Sequence, residues 1–302
     1  MALTDGWRGS RAVTTGWSVV WTRGDGCAEL AELLAAGEPK AADSDLRDAC
    51  IRARADLLVA KRLTSFDLVG TAVPVDFDPT RATEVVAAVG GGPHSAFAAR
   101  IAERLAAVLD VPGSLVYGSA TDDHDGAAER TLAGLGMVVP HLPGRVEHVE
   151  SARALVASLP PTAVVVVGAA GGSWLQRQFF GPGKQLVVGA PGGAVVARSA
   201  PDRCFQRMSE PEAVGIHMLV RDVLGVMSAA SVPVVDDGVL VGVVRKRTLI
   251  GADPASPVGP LVEDPVFVAV DDPVDAIAEM IEHLDHGPVP VVDHDGRLVG
   301  LI

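Results

Sequence analysis

Apolar positions along this chain fall into two rhythms. Between residues 83 and 200, short unbroken apolar runs alternate with helical periodicity. Glu84–Val89, Ser114–Tyr117, Met137–Val139, Thr162–Val167 and Gly193–Ala197 read as strands. Ser95–Leu109, with apolar residues at 97, 98, 101, 105 and 109, reads as a helix, as do Ala127–Leu135 and Val149–Ser158. Strands that are apolar on every residue are buried on both faces, so this stretch predicts an α/β domain with a doubly wound parallel sheet.

From residue 205 the pattern repeats. Ser231–Val244 (SVPVVDDGVLVGVV) and Pro288–Ile302 (PVPVVDHDGRLVGLI) each read strand, Asp-Gly turn, strand, after an amphipathic helix at Leu219–Met227 or Val274–Leu284. The offset is 57 residues at Pro233/Pro290 and 58 at Gly242/Gly300, which places one inserted residue in the second turn. That is an internal duplication of a β-hairpin unit, an α+β tandem repeat. Residues 1–80 read as a further α/β segment. They show a strand within Thr14–Thr22, helices at Ala28–Ala36 and Leu46–Ala55, and strands at Asp56–Ala60 and Phe66–Val75. This segment is either a degenerate relative of the next domain or a cap upon it. The expected division is 1–80, 81–203 and 204–302.

A formal charge of −13 disfavours nucleic acid and anionic membrane surfaces as partners. Arg245-Lys246-Arg247 is a local basic exception, either a phosphate contact or a solvated strand end. Cys27, Cys50 and Cys204 are far apart, with no CxxC or Cys/His cluster, which points to inert thiols in a reducing compartment. The N-terminus lacks a signal-peptide core, and the apolar run Ala163–Ala170 is far below the roughly 20 residues of a bilayer span. The expectation is a cytoplasmic protein.

Candidate chemistry gathers at glycines. Gly168 and Gly171, then Gly181 after nine intervening residues, begin where the strand Thr162–Val167 ends, and Gly172 extends the run. Backbone amides of such a strand-end loop can face phosphate oxygens; the other reading is a set of plain turns. Gly90, Gly91 and Gly92 precede Pro93, His94 and Ser95 between strand and helix, as a phosphate nest or as a turn with Ser95 as N-cap. His94 reads as a surface residue. His283, His286 and His294 lie among acidic residues, either a metal cluster or a solvated helix end and turn. No G-x-S-x-G, H-E-x-x-H or Walker A pattern occurs.

The run GAAGGSWLQRQFFGPG…GAPGGAVVAR resembles the G-x2-G-x9-G signature of universal stress proteins, and residues 83–200 are similar to that family's domain. The resemblance implies ATP bound at the Gly168/Gly171/Gly181 loop and cross-dimer pairing of the strand Gly193–Ala197. Gly90 stands where the family has an acidic residue that meets adenine, and Pro182 where it has Ser or Thr. The loop Gly90–Ser95 also resembles that of ATP pyrophosphatases, with His94 in place of Asp.

Residues 210–302 resemble a CBS pair, whose clefts take adenosine ligands through a Thr/Ser-x-x-Asp element. Arg245 and Thr248 occupy its two positions in the first copy, and the second copy reaches Ile302 before the element. The resemblances together imply a non-catalytic, stress-response or regulatory protein binding ATP, ADP or AMP, with no metal beyond nucleotide-associated Mg. It would form a homodimer or higher oligomer and act on a protein partner. The alternatives are a slow ATPase using Gly90–Ser95, and a scaffold whose pockets are vestigial.

Overall fold

The computed structural model describes residues 16–42, 45–63, 66–90, 94–119, 125–149, 152–169, 190, 192–283 and 287–302. They divide after Ala200 into two compact units.

The first unit is built on one sheet of nine described strands. In chain order its elements are β1 (Val19–Trp21), α1 (Cys27–Leu34), β2 (Lys40–Ala41), α2 (Leu46–Ala53), β3 (Leu57–Val59) and β4 (Gly70–Val75). They continue with β5 (Glu84–Val89), α3 (Ser95–Leu109), β6 (Gly113–Ser119), α4 (Asp125–Val138), β7 (Gly144–His148), α5 (Ala152–Ser158), β8 (Ala163–Gly168) and β9 (Ala194–Arg198). Across the sheet the order is β2-β1-β3-β4-β9-β8-β5-β6-β7, and every described pairing is parallel except β4 with β9. The strands from β5 to β9 alone run third, second, first, fourth, fifth, an order that reverses between the first and fourth strands. Outward from the β4/β9 seam the first side reads last, next-to-last, first, second, which is the same order without a third strand.

Both faces of the sheet are covered, which explains the unbroken apolar runs. Val85, Ala87 and Val89 of β5 pack with α1, α3 and α4, while Val86 and Ala88 pack with α5. The two sides are also tied outside the sheet. Arg104 of α3 donates from Nε to the carbonyl of Leu33 (3.2 Å) and from its terminal nitrogen to that of Ala35 (2.8 Å), capping α1 where its carbonyls lack partners. Trp17 meets Phe97 edge to face at 6.1 Å, with the Arg100 guanidinium 5.8 Å over the Trp17 ring.

Residues 19–75 supply four strands of the same sheet that residues 84–198 complete. Two expectations change here. The strand at Gly193–Ala197 is not an edge awaiting a second copy: β4 of the same chain pairs with it, from Thr71↔Arg198 to Val75↔Ala194. Met137–Val139 ends a helix instead of forming a strand. Leu135 and Val139, four residues apart, are the buried ones, whereas Met137 is 84% exposed. The Val139 amide continues the helical ladder to the carbonyl of Leu135.

The second unit holds two three-stranded sheets. Its elements are α6 (Cys204–Arg207), β10 (Val214–Gly215), α7 (Val220–Val226), β11 (Ser231–Asp236), β12 (Val239–Arg245), α8 (Lys246–Ile250), β13 (Val268–Ala269), α9 (Val274–His283), β14 (Pro290–Val292) and β15 (Leu298–Leu301). The sheets are β10-β11-β12 and β13-β14-β15, each with a register shift at the same place, Val234/Val235 and Val291/Val292. Asp237 and Gly238 both take positive φ in the first turn, as a two-residue hairpin requires. The two hairpins face each other reciprocally: the Leu240 amide donates to the Gly296 carbonyl and the Leu298 amide to the Gly238 carbonyl, each at 3.0 Å.

Each sheet is completed by chain from outside its own hairpin. Glu263 bridges antiparallel to Val243 on β12, and Ser209 bridges to Leu301 on β15. Both places need a glycine. A Cβ at Gly242 would lie 2.5 Å from the Glu263 carbonyl oxygen, and one at Gly300 would meet the Met208 side chain at 2.5–2.8 Å. No helix among the described residues is long and apolar enough to cross a membrane.

Candidate functional site

In the first unit the order of strands reverses between β5 and β8, and open α/β sheets bind ligands at such a switch point. The two strands are parallel neighbours with Ala88 opposite Val167, so Gly90 and Gly168 lie at the same sheet edge. The elements expected to carry a phosphate loop are therefore side by side. Gly91, Gly92, Gly171, Gly172 and Gly181 lie outside the described residues.

Ser95 is the first residue of α3, not its cap, which is His94. The buried Ser95 hydroxyl accepts a hydrogen bond from the Gly90 amide at 3.4 Å, closing the loop on itself. Residue 94 is not a simple surface group. His94 Nδ1 lies 2.9 Å from the Ser199 hydroxyl and accepts from the Ser199 amide at 3.2 Å, which links the β5 loop to the end of β9. A nitrogen that accepts carries no proton, so the ring is neutral with its hydrogen on Nε2. Burial, and then the Arg198 guanidinium, holds His94 below the usual histidine range. Arg198 itself donates to the Phe66 carbonyl. The His94 imidazole and the Arg198 side chain thus belong to the same strand edge as Gly90 and Gly168. His94 and Ser199 are 105 residues apart, and no sequence pattern links them.

In the second unit Arg245 ends β12 and Thr248 lies on α8, one turn on. Both meet one carboxylate. Arg245 Nε is 3.1 Å from Glu263 Oε2, and the Thr248 hydroxyl donates to Glu263 Oε1 at 3.4 Å. Glu263 has no place in the sequence motif, because the exchanged strand brings it there. Of the three acid-flanked histidines, His286 lies outside the described residues. Among those described, no three His, Cys, Asp or Glu side chains gather as a metal site.

Residues 206–255 and 258–302 match the CBS domain family, so the second unit is a CBS domain pair. Near its start each matched segment has a residue that bridges to the other repeat's sheet, Ser209 to Leu301 and Glu263 to Val243. No curated protein matches the chain. Among solved structures, the cytosolic domain of the Mg2+ channel MgtE in complex with ATP is 33% identical with a TM-score of 0.31, covering 33% of this chain and 45% of that one. The chain thus spans under half of that domain. A CBS domain pair/ACT domain protein from Thermotoga maritima is 26% identical, with a TM-score of 0.32 and coverage of 33% and 88%. CBSX2 in complex with AMP is 24% identical, with a TM-score of 0.31 and coverage of 33% and 88%. The class is a mixed α/β protein with a parallel-dominated sheet and a C-terminal CBS pair.

Proposed function

We propose that this chain is a non-catalytic regulatory protein that senses adenine nucleotides and passes their binding on through contacts with other copies or with a protein partner. The observation that carries the reading is the placement of Gly90 and Gly168 together at the switch point of the sheet. The third-second-first-fourth-fifth strand order supports reading residues 84–198 as a universal-stress-protein-like module. In it the loop containing Gly168, Gly171, Gly172 and Gly181 takes the phosphates of ATP, and Gly90–Ser95 closes the crevice. Mg2+ enters only as the nucleotide's companion. The CBS pair supplies the second sensing module.

Assembly between copies uses the CBS unit, because β9 is already paired on both sides. Val226 on α7 and Ile250 on α8, two helices in contact, are 65% and 71% exposed, apolar side chains that a second copy would cover. A cytoplasmic setting fits the cysteines. All three are free and buried, and burial pushes the Cys50 and Cys204 thiols up to about 12 and about 11, out of the reactive range.

Two substitutions test the crevice by calorimetric titration with ATP. Gly171→Val is expected to abolish binding there. Gly90→Asp restores an acceptor for adenine and is expected to tighten binding by about 1–2 kcal/mol, roughly tenfold. If neither changes the affinity, the crevice is not the site.

A further inference from the structure

The two positions that the CBS resemblance assigns to a ligand are both held by Glu263, a residue outside that element. Its backbone is fixed: the Val243 amide donates to its carbonyl at 3.0 Å and its own amide donates back at 2.9 Å. Gly242 leaves the space through which residues 262 and 263 pass. From that fixed point one carboxylate oxygen reaches Arg245 Nε and the other the Thr248 hydroxyl. The carboxylate neutralises Arg245 and repels an approaching anion. The contact is nonetheless exchangeable. The two side chains are 36% and 39% exposed, and ion pairs open to water are weak. A phosphate group carries up to two charges and can engage a guanidinium through two parallel hydrogen bonds, which the Nε contact with Glu263 leaves unused.

The second repeat has no charge at the corresponding backbone place. Ser209 stands there, since Ser209 and Glu263 bridge equivalent residues of their sheets, Leu301 and Val243. Its hydroxyl donates to the Leu301 carbonyl at 3.2 Å.

We propose that Glu263 is a built-in competitor for phosphate in the first CBS repeat, occupying Arg245 and Thr248 until the phosphate of an adenine nucleotide displaces it. The inference rests on the reading of that cleft as a nucleotide site. It adds that the cleft registers the phosphate group rather than the nucleoside. Binding then converts an internal ion pair into a ligand contact and releases the carboxylate of the segment that joins the two repeats.

The test uses the full chain, with AMP and adenosine titrated calorimetrically into the unaltered protein, Glu263→Gln, Arg245→Gln and the double variant. An azido-AMP photolabel, with peptide mapping, locates the occupied cleft. Glu263→Gln is expected to tighten AMP by about threefold to tenfold and leave adenosine unchanged, and Arg245→Gln is expected to remove that gain. Weaker AMP binding by Glu263→Gln would make the carboxylate a ligand contact and overturn the proposal. So would an equal gain for adenosine, which signals general opening. Label at residues 239–263 with the same affinity in both proteins overturns the competition but keeps the nucleotide reading. No label there in any variant overturns both.

Discussion

The two units join their halves in opposite ways. In the first, two sets of strands in the same order meet edge to edge at the antiparallel β4/β9 seam and share one sheet. In the second, the halves keep separate sheets and exchange single bridging residues, Ser209 to Leu301 and Glu263 to Val243. An edge seam joins the two sets through main-chain hydrogen bonds alone. A residue that bridges to the other repeat brings its side chain with it, so Arg245 and Thr248 of the first repeat meet a carboxylate that their own motif lacks.

The seam and the exchange both depend on close backbone approach, and glycine substitutions rank their tightness. Gly193, just before β9, has a φ of +84°, and a Cβ there would lie 2.6 Å from the Phe77 backbone. Gly193→Ala adds left-handed strain to a collision with main chain, and is expected to cost about 3 kcal/mol or more in urea unfolding of the full chain. Gly242→Ala meets the Glu263 carbonyl without a positive φ and is expected to cost about 2 kcal/mol. Gly300→Ala meets first the Met208 side chain, at Sδ, Cγ and Cβ, rather than main chain, and is expected to cost about 1 kcal/mol. Equal losses at Gly242 and Gly300 would break the distinction between backbone and side-chain obstacles.

The loop tie in the first unit gives a pH test. Burial in the folded protein holds His94 below the ordinary histidine value of about 6.5, so the unfolded chain binds its proton first as pH falls. The stability that His94 contributes is therefore present above about pH 6.5 and is lost as pH drops through the lower folded value. His94→Gln is expected to flatten the urea midpoint between pH 7 and 5. It is also expected to cost about 1 kcal/mol at pH 7, the scale of the lost hydrogen bond. A midpoint with the same slope in both proteins would show that the tie to Ser199 does not titrate. The smallest effect is expected at Glu263→Gln. The ion pair is half exposed, so stability should change by less than about 0.5 kcal/mol, which separates a role in ligand competition from one in folding.

Much of this was legible where local pattern and structure agree. Val164, Val165 and Val166 read as a strand buried on both faces because they are one, and the copied hairpins announced the CBS pair. Other features depend on long-range placement. β1, β2 and β3 have only three, two and three residues, too short for periodicity to show that they join the main sheet. Pro74 lies inside β4, which a sequence reading demotes; it is accommodated beyond Ala72, the last residue paired with β3. Val195 and Val196 face opposite sides of the sheet and are both buried, as in an interior strand, yet the partner at that edge lies more than 100 residues upstream. Glu263 was invisible for the same reason: its contacts are created by strand exchange, and nothing between Arg245 and Glu263 signals it.

The central claim is that the chain binds adenine nucleotide without turning it over. It is tested most directly by titrating ATP, ADP and AMP into the full chain by calorimetry while assaying phosphate release in the same samples. The account predicts saturable heat with at least one nucleotide and no phosphate release above the protein-free rate. Phosphate release that scales with protein would make the chain an ATPase, and the absence of heat with all three nucleotides would leave a scaffold whose pockets bind nothing.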